Sequence, residues 1–171
     1  MNACYFDTSV FLAILNGEPT GPGIRALLRE LKVAKTKIYT SIITVQEASV
    51  EALRAGGRAD EMYGQIGKLA RTQTITREIA IRAAQLEAQV IQRMRPADLS
   101  EEKRIGLNRR RKWDCFHIAT ALDLGCGALY SLDDKMLNRK NHLNLTGIEF
   151  LEPLPRAIEL FSTSLDTGRI Q

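Results

Sequence analysis

Four acidic side chains, Asp7, Glu47, Asp114 and Asp133, are candidates for one shared chemical site, although they are spread over most of a 171-residue chain. Asp7 closes an apolar strand pattern, Ala3-Cys4-Tyr5-Phe6, and Asp133 directly follows another, Ala128 to Leu132. Glu47 lies five residues beyond a third strand pattern, and Asp114 opens a helical one. If such carboxylates converge to about 5 Å at an effective dielectric near 20, each ionised pair costs roughly 3 kcal/mol. Several pairs would rival the whole stability of a domain, about 5–15 kcal/mol. Either protons are shared or a cation sits between them. Oxygen donors without clustered His or Cys select Mg²⁺ or Mn²⁺ over zinc.

Each acid also has a purely local explanation. Asp7 can form an Asx turn at a strand end. Thr44-Val45-Gln46-Glu47 fits a capping box in which Glu47 only satisfies a backbone N–H. Asp114 in a first helical turn gains a few tenths of a kcal/mol, roughly 0.3–1, from the helix macrodipole. Asp133-Asp134 resembles a turn. The functional reading therefore depends on convergence, which is a property of the elements.

Those elements alternate. After the first strand, Thr8 or Ser9 can cap a short helix through Leu15 that Gly17 stops, and Glu18 to Gly23 reads as a loop. Ile24, Leu27, Leu28 and Leu31 recur at helical spacing. Ile38 to Ile42 is a second strand, followed by a helix opening near Thr44 and ending at Gly56-Gly57. Helical patterns span about Ala59–Arg71 and Glu78–Arg95, with Thr74-Ile75 a brief strand between them and Pro96 a stop. Trp113–Leu124 is expected as a helix, Ala128–Leu132 as a strand, Asp134–Asn138 as a short helix and Ile148–Leu151 as a last strand. Residues 157–161 could add a helical turn. Strands alternating with longer helices predict an α/β fold with a mainly parallel sheet covered on both faces. In such sheets sites form outside the carboxyl ends of the strands, where three of the four acids fall.

Length predicts one domain, residues 1–171, with a basic insertion at about 95–112 and a C-terminal extension at about 152–171. No apolar stretch is long enough to cross a membrane, and Val10–Leu15 is no signal peptide, so a cytoplasmic location is expected. Cys4, Cys115 and Cys126 match no zinc or redox spacing and read as small buried hydrophobes. The net charge of +4 is concentrated. From Arg93 to Lys112 there are eight basic residues against three acids, and the rest of the chain is nearly neutral.

At four places the chain resembles the PIN-domain nucleases. Residues 5–15 look like that family's opening, an apolar strand followed by Asp-x-Ser/Thr. Ser41 to Glu47 is similar to its second block. Asp114-Cys115-Phe116-His117-Ile118-Ala119-Thr120-Ala121 resembles its helix that opens on Asp and continues into Ala-x-Ala, and Leu129 to Asp133 its strand ending in Ser/Thr-x-Asp. The four blocks occur in order and the resemblance extends to about residue 151. It implies a Rossmann-like three-layer α/β/α sandwich with the acids in one pocket, and a metal-dependent phosphodiesterase. The branch it most resembles is the VapC-type toxins, which are ribonucleases, usually homodimers, inhibited by a small antitoxin protein.

On that reading Asp7, Asp114 and Asp133 are expected to be metal ligands, direct or through water, with Mg²⁺ or Mn²⁺ as the cofactor. Glu47 would help hold a second metal or orient the attacking water. Ser9 and Ser131 are expected to hydrogen-bond these ligands or touch a phosphate, and Asp134 substitutes if the turn after Leu132 is rotated. Asp123, about 180° round the helix from Asp114, should face away. His117 is expected to be packed and hydrogen-bonded rather than a general base, because a metal-bound water needs none. Trp113 is expected in the core or at the rim. Arg109, Arg110, Arg111 and Lys112 stop one residue short of Asp114 and are candidates for RNA phosphate contacts, against the alternative of a solvated loop. The alternatives are a non-toxic RNA-processing or DNA-acting nuclease, or an inactive nucleic-acid-binding module. A phosphoacceptor receiver domain is disfavoured, since Phe6 rather than an acid precedes Asp7.

Overall fold

Five parallel strands form one sheet in the computed structural model, which describes residues 2–93 and 101–153 with the side chains of 101–110 excepted. The strands are β1 (Ala3–Phe6), β2 (Lys37–Ser41), β3 (Arg71–Gln73), β4 (Ala128–Tyr130) and β5 (Glu149–Leu151). Their spatial order is β3-β2-β1-β4-β5, with every neighbouring pair parallel. The helices are α1 (Thr8–Leu15), α2 (Gly21–Val33), α3 (Ile42–Arg54), α4 (Ala59–Leu69), α5 (Arg77–Arg93), α6 (Glu101–Asp123) and α7 (Asp134–Asn138), with a 3-10 turn at Arg139–His142. This is the expected three-layer α/β/α sandwich.

The layers follow from β1, whose four residues are all buried. Side chains alternate across a strand. Ala3 and Tyr5 join the core formed with Ile79, Leu86 and Val90 of α5 and Ile118 of α6. Cys4 and Phe6 face the opposite core, with Val10, Phe11, Ile24 and Leu27 of α1 and α2. Phe6 meets Tyr130 edge-on at a ring separation of 5.3 Å. The three cysteines are buried, and burial pushes their thiols up to about 12, which keeps them unreactive packing groups.

The chain runs outward from β1 through β2 to β3, then returns to place β4 on the other side of β1. A crevice therefore opens at the carboxyl ends of β1 and β4, where the order reverses. The Asp7 N–H donates to the Tyr130 carbonyl at 3.1 Å and closes the base of that crevice.

Several boundaries differ from the pattern, for local reasons. α2 begins at Gly21, inside the expected loop, because a proline is tolerated in a first helical turn. α3 begins at Ile42, capped by the Ser41 hydroxyl, two residues before the expected start. β3 is Arg71–Gln73 rather than Thr74-Ile75, and β4 ends at Tyr130, so Asp133 lies three residues beyond it. α6 begins at Glu101 rather than Trp113, so residues 101–112 of the expected basic insertion are helical. Residues 94–100, and the extension from 154 with its expected helical turn, lie outside the described residues. Gly17 does stop α1, with φ +67. Among the described residues no helix is long and apolar enough to cross a membrane.

Candidate active site

Asp7 is held by four donors. The backbone N–H groups of Ser9 and Val10 reach its Oδ1 at 3.0 and 3.4 Å, so it caps α1 in place of the expected Thr8 or Ser9. The hydroxyls of Ser9 and Ser131 reach Oδ1 and Oδ2, each at 2.6 Å. Ser9 Oγ in turn accepts from the Leu132 N–H at 2.8 Å, and Ser131 Oγ from the Asp133 N–H at 2.9 Å. These bonds tie the turn after β4 to the end of β1. Burial pushes the Asp7 carboxyl up, against the pull of the Ser131 and Ser9 hydroxyls.

Glu47 lies in the second turn of α3, not the first, because the helix starts at Ile42. The Thr44 capping box is thereby excluded, and the Thr44 hydroxyl pairs instead with Thr40 at 2.8 Å. Glu47 Oε2 accepts a short hydrogen bond from the Thr8 hydroxyl and lies 3.5 Å from His117 Nε2. Burial raises its carboxyl, but His117 and Thr8 outweigh that and hold it below the usual range. His117 is buried as expected, its Nδ1 2.7 Å from the Tyr5 hydroxyl, yet its other face lines the cavity.

Asp114 is in the body of α6, so the macrodipole explanation for it lapses. Its Oδ2 accepts from Arg139 Nε at 2.7 Å, with both residues buried. Burial raises the Asp114 carboxyl even so, with Arg139 pulling the other way. Asp133 is exposed and caps α7 through the Lys135 N–H at 2.8 Å.

All four acids line one cavity of about 540 Å³ at the β1–β4 crevice. Ser9 lines it too, while Ser131 sits behind Asp7. Asp134 does not line the cavity, so the turn after Leu132 presents Asp133, and Asp123 is exposed and points elsewhere. Trp113 stands at the rim, 36% exposed, against Phe116.

Of the basic run, the side chains of Arg111 and Lys112 are described. Arg111 turns to α5, where its Nη2 meets Glu87 at 3.3 Å, and Lys112 is exposed; neither lines the cavity. A helix turns 100° per residue, so adjacency to Asp114 in sequence does not place these side chains beside it in space. The side chains of Arg109 and Arg110 lie outside the described residues. Among the described residues the cationic side chain that does line the cavity is Arg54 of α3, paired with Glu51 at 2.8 Å. Basic character is also not confined to residues 93–112. A second hollow of about 560 Å³ takes in the starts of β2 and β3 and is lined by Lys32, Lys35, Lys37, Lys68 and Arg71. They come from two short stretches of sequence, residues 32–37 and 68–71, which the pairing of β2 with β3 brings together.

Thr8, Arg54 and Arg139 are the functional candidates that motif reading missed. Thr8 is the variable position of Asp-x-Ser, and nothing in Asn138-Arg139-Lys140 signals that its arginine is buried. The donor chemistry of the cavity, carboxylates with one buried histidine, suits a hard cation. Among the described residues, however, no three acid, His or Cys side chains are gathered closely enough to hold one as they stand.

A family model described as PIN domain matches residues 4–142. No curated relative matches. Among solved structures, the chain is similar to VapBC2 from Rickettsia felis bound to a promoter DNA fragment, at 15% identity and a TM-score of 0.58 over 86% of this chain and 98% of that one. It is similar to a toxin-antitoxin complex from Klebsiella pneumoniae, at 17% identity and 0.54 over 88% and 97%. It is also similar to VapC20 from Mycobacterium tuberculosis, a toxin cleaving the sarcin-ricin loop, at 15% and 0.54 over 85% and 98%. At these identities the likeness speaks for the fold.

Proposed function

This chain belongs to the PIN domain family, and on that premise we propose that it is a divalent-metal-dependent endoribonuclease, the toxin of a toxin-antitoxin pair. The observation that carries the reading is the lining of a single cavity by Asp7, Glu47, Asp114 and Asp133, drawn from β1, α3, α6 and the turn after β4. RNA as substrate, a small antitoxin as partner and a homodimer as the working form are inferred from the VapC-type resemblance. The toxin-antitoxin complex and the toxin cleaving the sarcin-ricin loop among the similar structures support the first two.

Asp7, Asp114 and Asp133, with Glu47, are the residues that would hold Mg²⁺ or Mn²⁺. Such an ion supplies an activated water and neutralises charge building on a phosphodiester. The remaining work belongs to the chain. Ser9 and Ser131 fix the Asp7 carboxylate through bonds of 2.6 Å, so it presents a set geometry without reorganising. Thr8 and His117 do the same for Glu47. Glu47, held below the usual carboxylate range, stays ionised at neutral pH, so it can accept a hydrogen bond from the attacking water. Arg54 offers a phosphate contact at the mouth, and Trp113 a partly exposed face for a base.

The test is cleavage of RNA during an Mg²⁺ or Mn²⁺ titration, with chelator as the control. Cleavage should require the metal and fall by about 100-fold or more in Asp7→Asn, the order expected for losing one organised electrostatic group. Equal cleavage in chelator, unchanged in the variant, overturns the reading.

A further inference from the structure

We propose that Arg139 is a resident counter-ion of the acidic cavity, holding the Asp114 carboxylate in the metal-free protein and releasing it when a divalent cation binds. The inference rests on the metal-dependent reading above and adds a residue that lies outside every motif of the sequence.

The partners of the four acids differ in kind. Asp7 is held by hydroxyls and backbone N–H groups, and Asp133 by a backbone N–H. Neutral donors orient a carboxylate and leave its charge for a cation. Glu47 has a hydroxyl and a histidine. Among the described residues Asp114 alone of the four meets a guanidinium, at 2.7 Å, with its side chain 12% exposed and that of Arg139 6%. A buried carboxylate needs such a partner, because an ionised group out of water is costly unless paired. The same contact cancels the charge that a metal would use. Two cations cannot both take full advantage of one carboxylate, so Arg139 and the metal are linked with opposing sign.

The element carrying Arg139 suits a residue that moves with the site. Asp133 caps α7, a helix of five residues whose buried side chain is Met136, and Arg139 follows directly in the 3-10 turn. One short stretch thus supplies both an acid to the cavity and the cation opposite Asp114. A small displacement of that stretch would shift Asp133 and Arg139 together.

The opposite arrangement is equally concrete. Arg139 could stay on Asp114 and steady it for the metal, in which case removing it would weaken metal binding. The sign of the effect separates the two. Mn²⁺ binding to the full chain is measured by titration calorimetry for wild type and Arg139→Gln. The variant should bind about 10-fold more tightly or better, the order expected for deleting one full charge beside a ligand. In the wild type, the Arg139 Nε–H resonance should be protected from exchange without metal, then shift and lose protection at saturating Mg²⁺. This second measurement decides the question if Arg139→Gln does not fold. Equal or weaker Mn²⁺ binding in the variant, or an Arg139 resonance untouched by Mg²⁺, overturns the role of Arg139 and leaves the nuclease reading standing. Absence of binding in both proteins overturns that reading, and this inference with it.

Discussion

Asp7→Asn tests whether the carboxylate at the end of β1 is there for its charge or for its shape. The amide keeps an oxygen for the Ser9 and Val10 N–H groups at 3.0 and 3.4 Å, and Asn caps a helix about as well as Asp. Its nitrogen would face Ser131 Oγ, 2.6 Å away, which must then accept instead of donating. Reversing that bond costs about 1 kcal/mol. Against it stands relief from burying a charge, since burial is the largest influence on Asp7 and raises its carboxyl. Stability should therefore change by no more than about 1 kcal/mol, or about 2–4 °C in Tm for a chain of this size. Metal-dependent RNA cleavage should fall by about 100-fold or more, equivalent to roughly 2.7 kcal/mol of barrier. The pH dependence adds a sign. A carboxyl raised in the folded state contributes stability below its unfolded value of 3.8, lost as pH rises through the folded value. In chelator, wild type should thus lose stability relative to the variant as pH climbs from that acid limit towards neutral. Calorimetric melts across pH and a cleavage assay measure both effects. Cleavage within a few-fold of wild type at unchanged Tm would reduce Asp7 to a helix cap and refute the reasoning.

Other perturbations probe the supports. Tyr5→Phe removes the hydroxyl 2.7 Å from His117 Nδ1 and should cost about 1 kcal/mol in denaturant melts, with kcat lowered and KM unchanged if His117 positions Glu47. Adding Mg²⁺ at 100 times its Kd should stabilise wild type by about 2.7 kcal/mol, and a melt showing the same gain in a variant lacking both Asp7 and Asp114 carboxylates would move the ion elsewhere. Phe6→Ala, which empties a fully buried ring site between Phe11 and Tyr130, should cost about 3–5 kcal/mol in chemical denaturation. Gly17→Ala meets no atom within 4 Å, so its cost, about 1–2 kcal/mol by the same measurement, is that of φ +67 alone.

Local pattern determined much of this protein. The four-residue apolar run of β1 stops at Asp7 because a strand buried on both faces must be apolar, and the first polar side chain marks its edge. Alternation of strands and helices dictated the parallel sandwich, and a parallel sheet puts strand-end acids on one side. Pairings across the chain were decided only by the tertiary structure. Whether Glu47 capped a helix turned on a start two residues earlier, set by the Ser41 hydroxyl. Arg111, beside the site in sequence, turned to Glu87, while Arg139, unmarked by any pattern, became the partner of Asp114. Periodicity records which face a residue occupies along its own element. A salt bridge depends on where two elements cross, and that is fixed by the packing of α5 and α6 on the sheet and by the turn that follows β4.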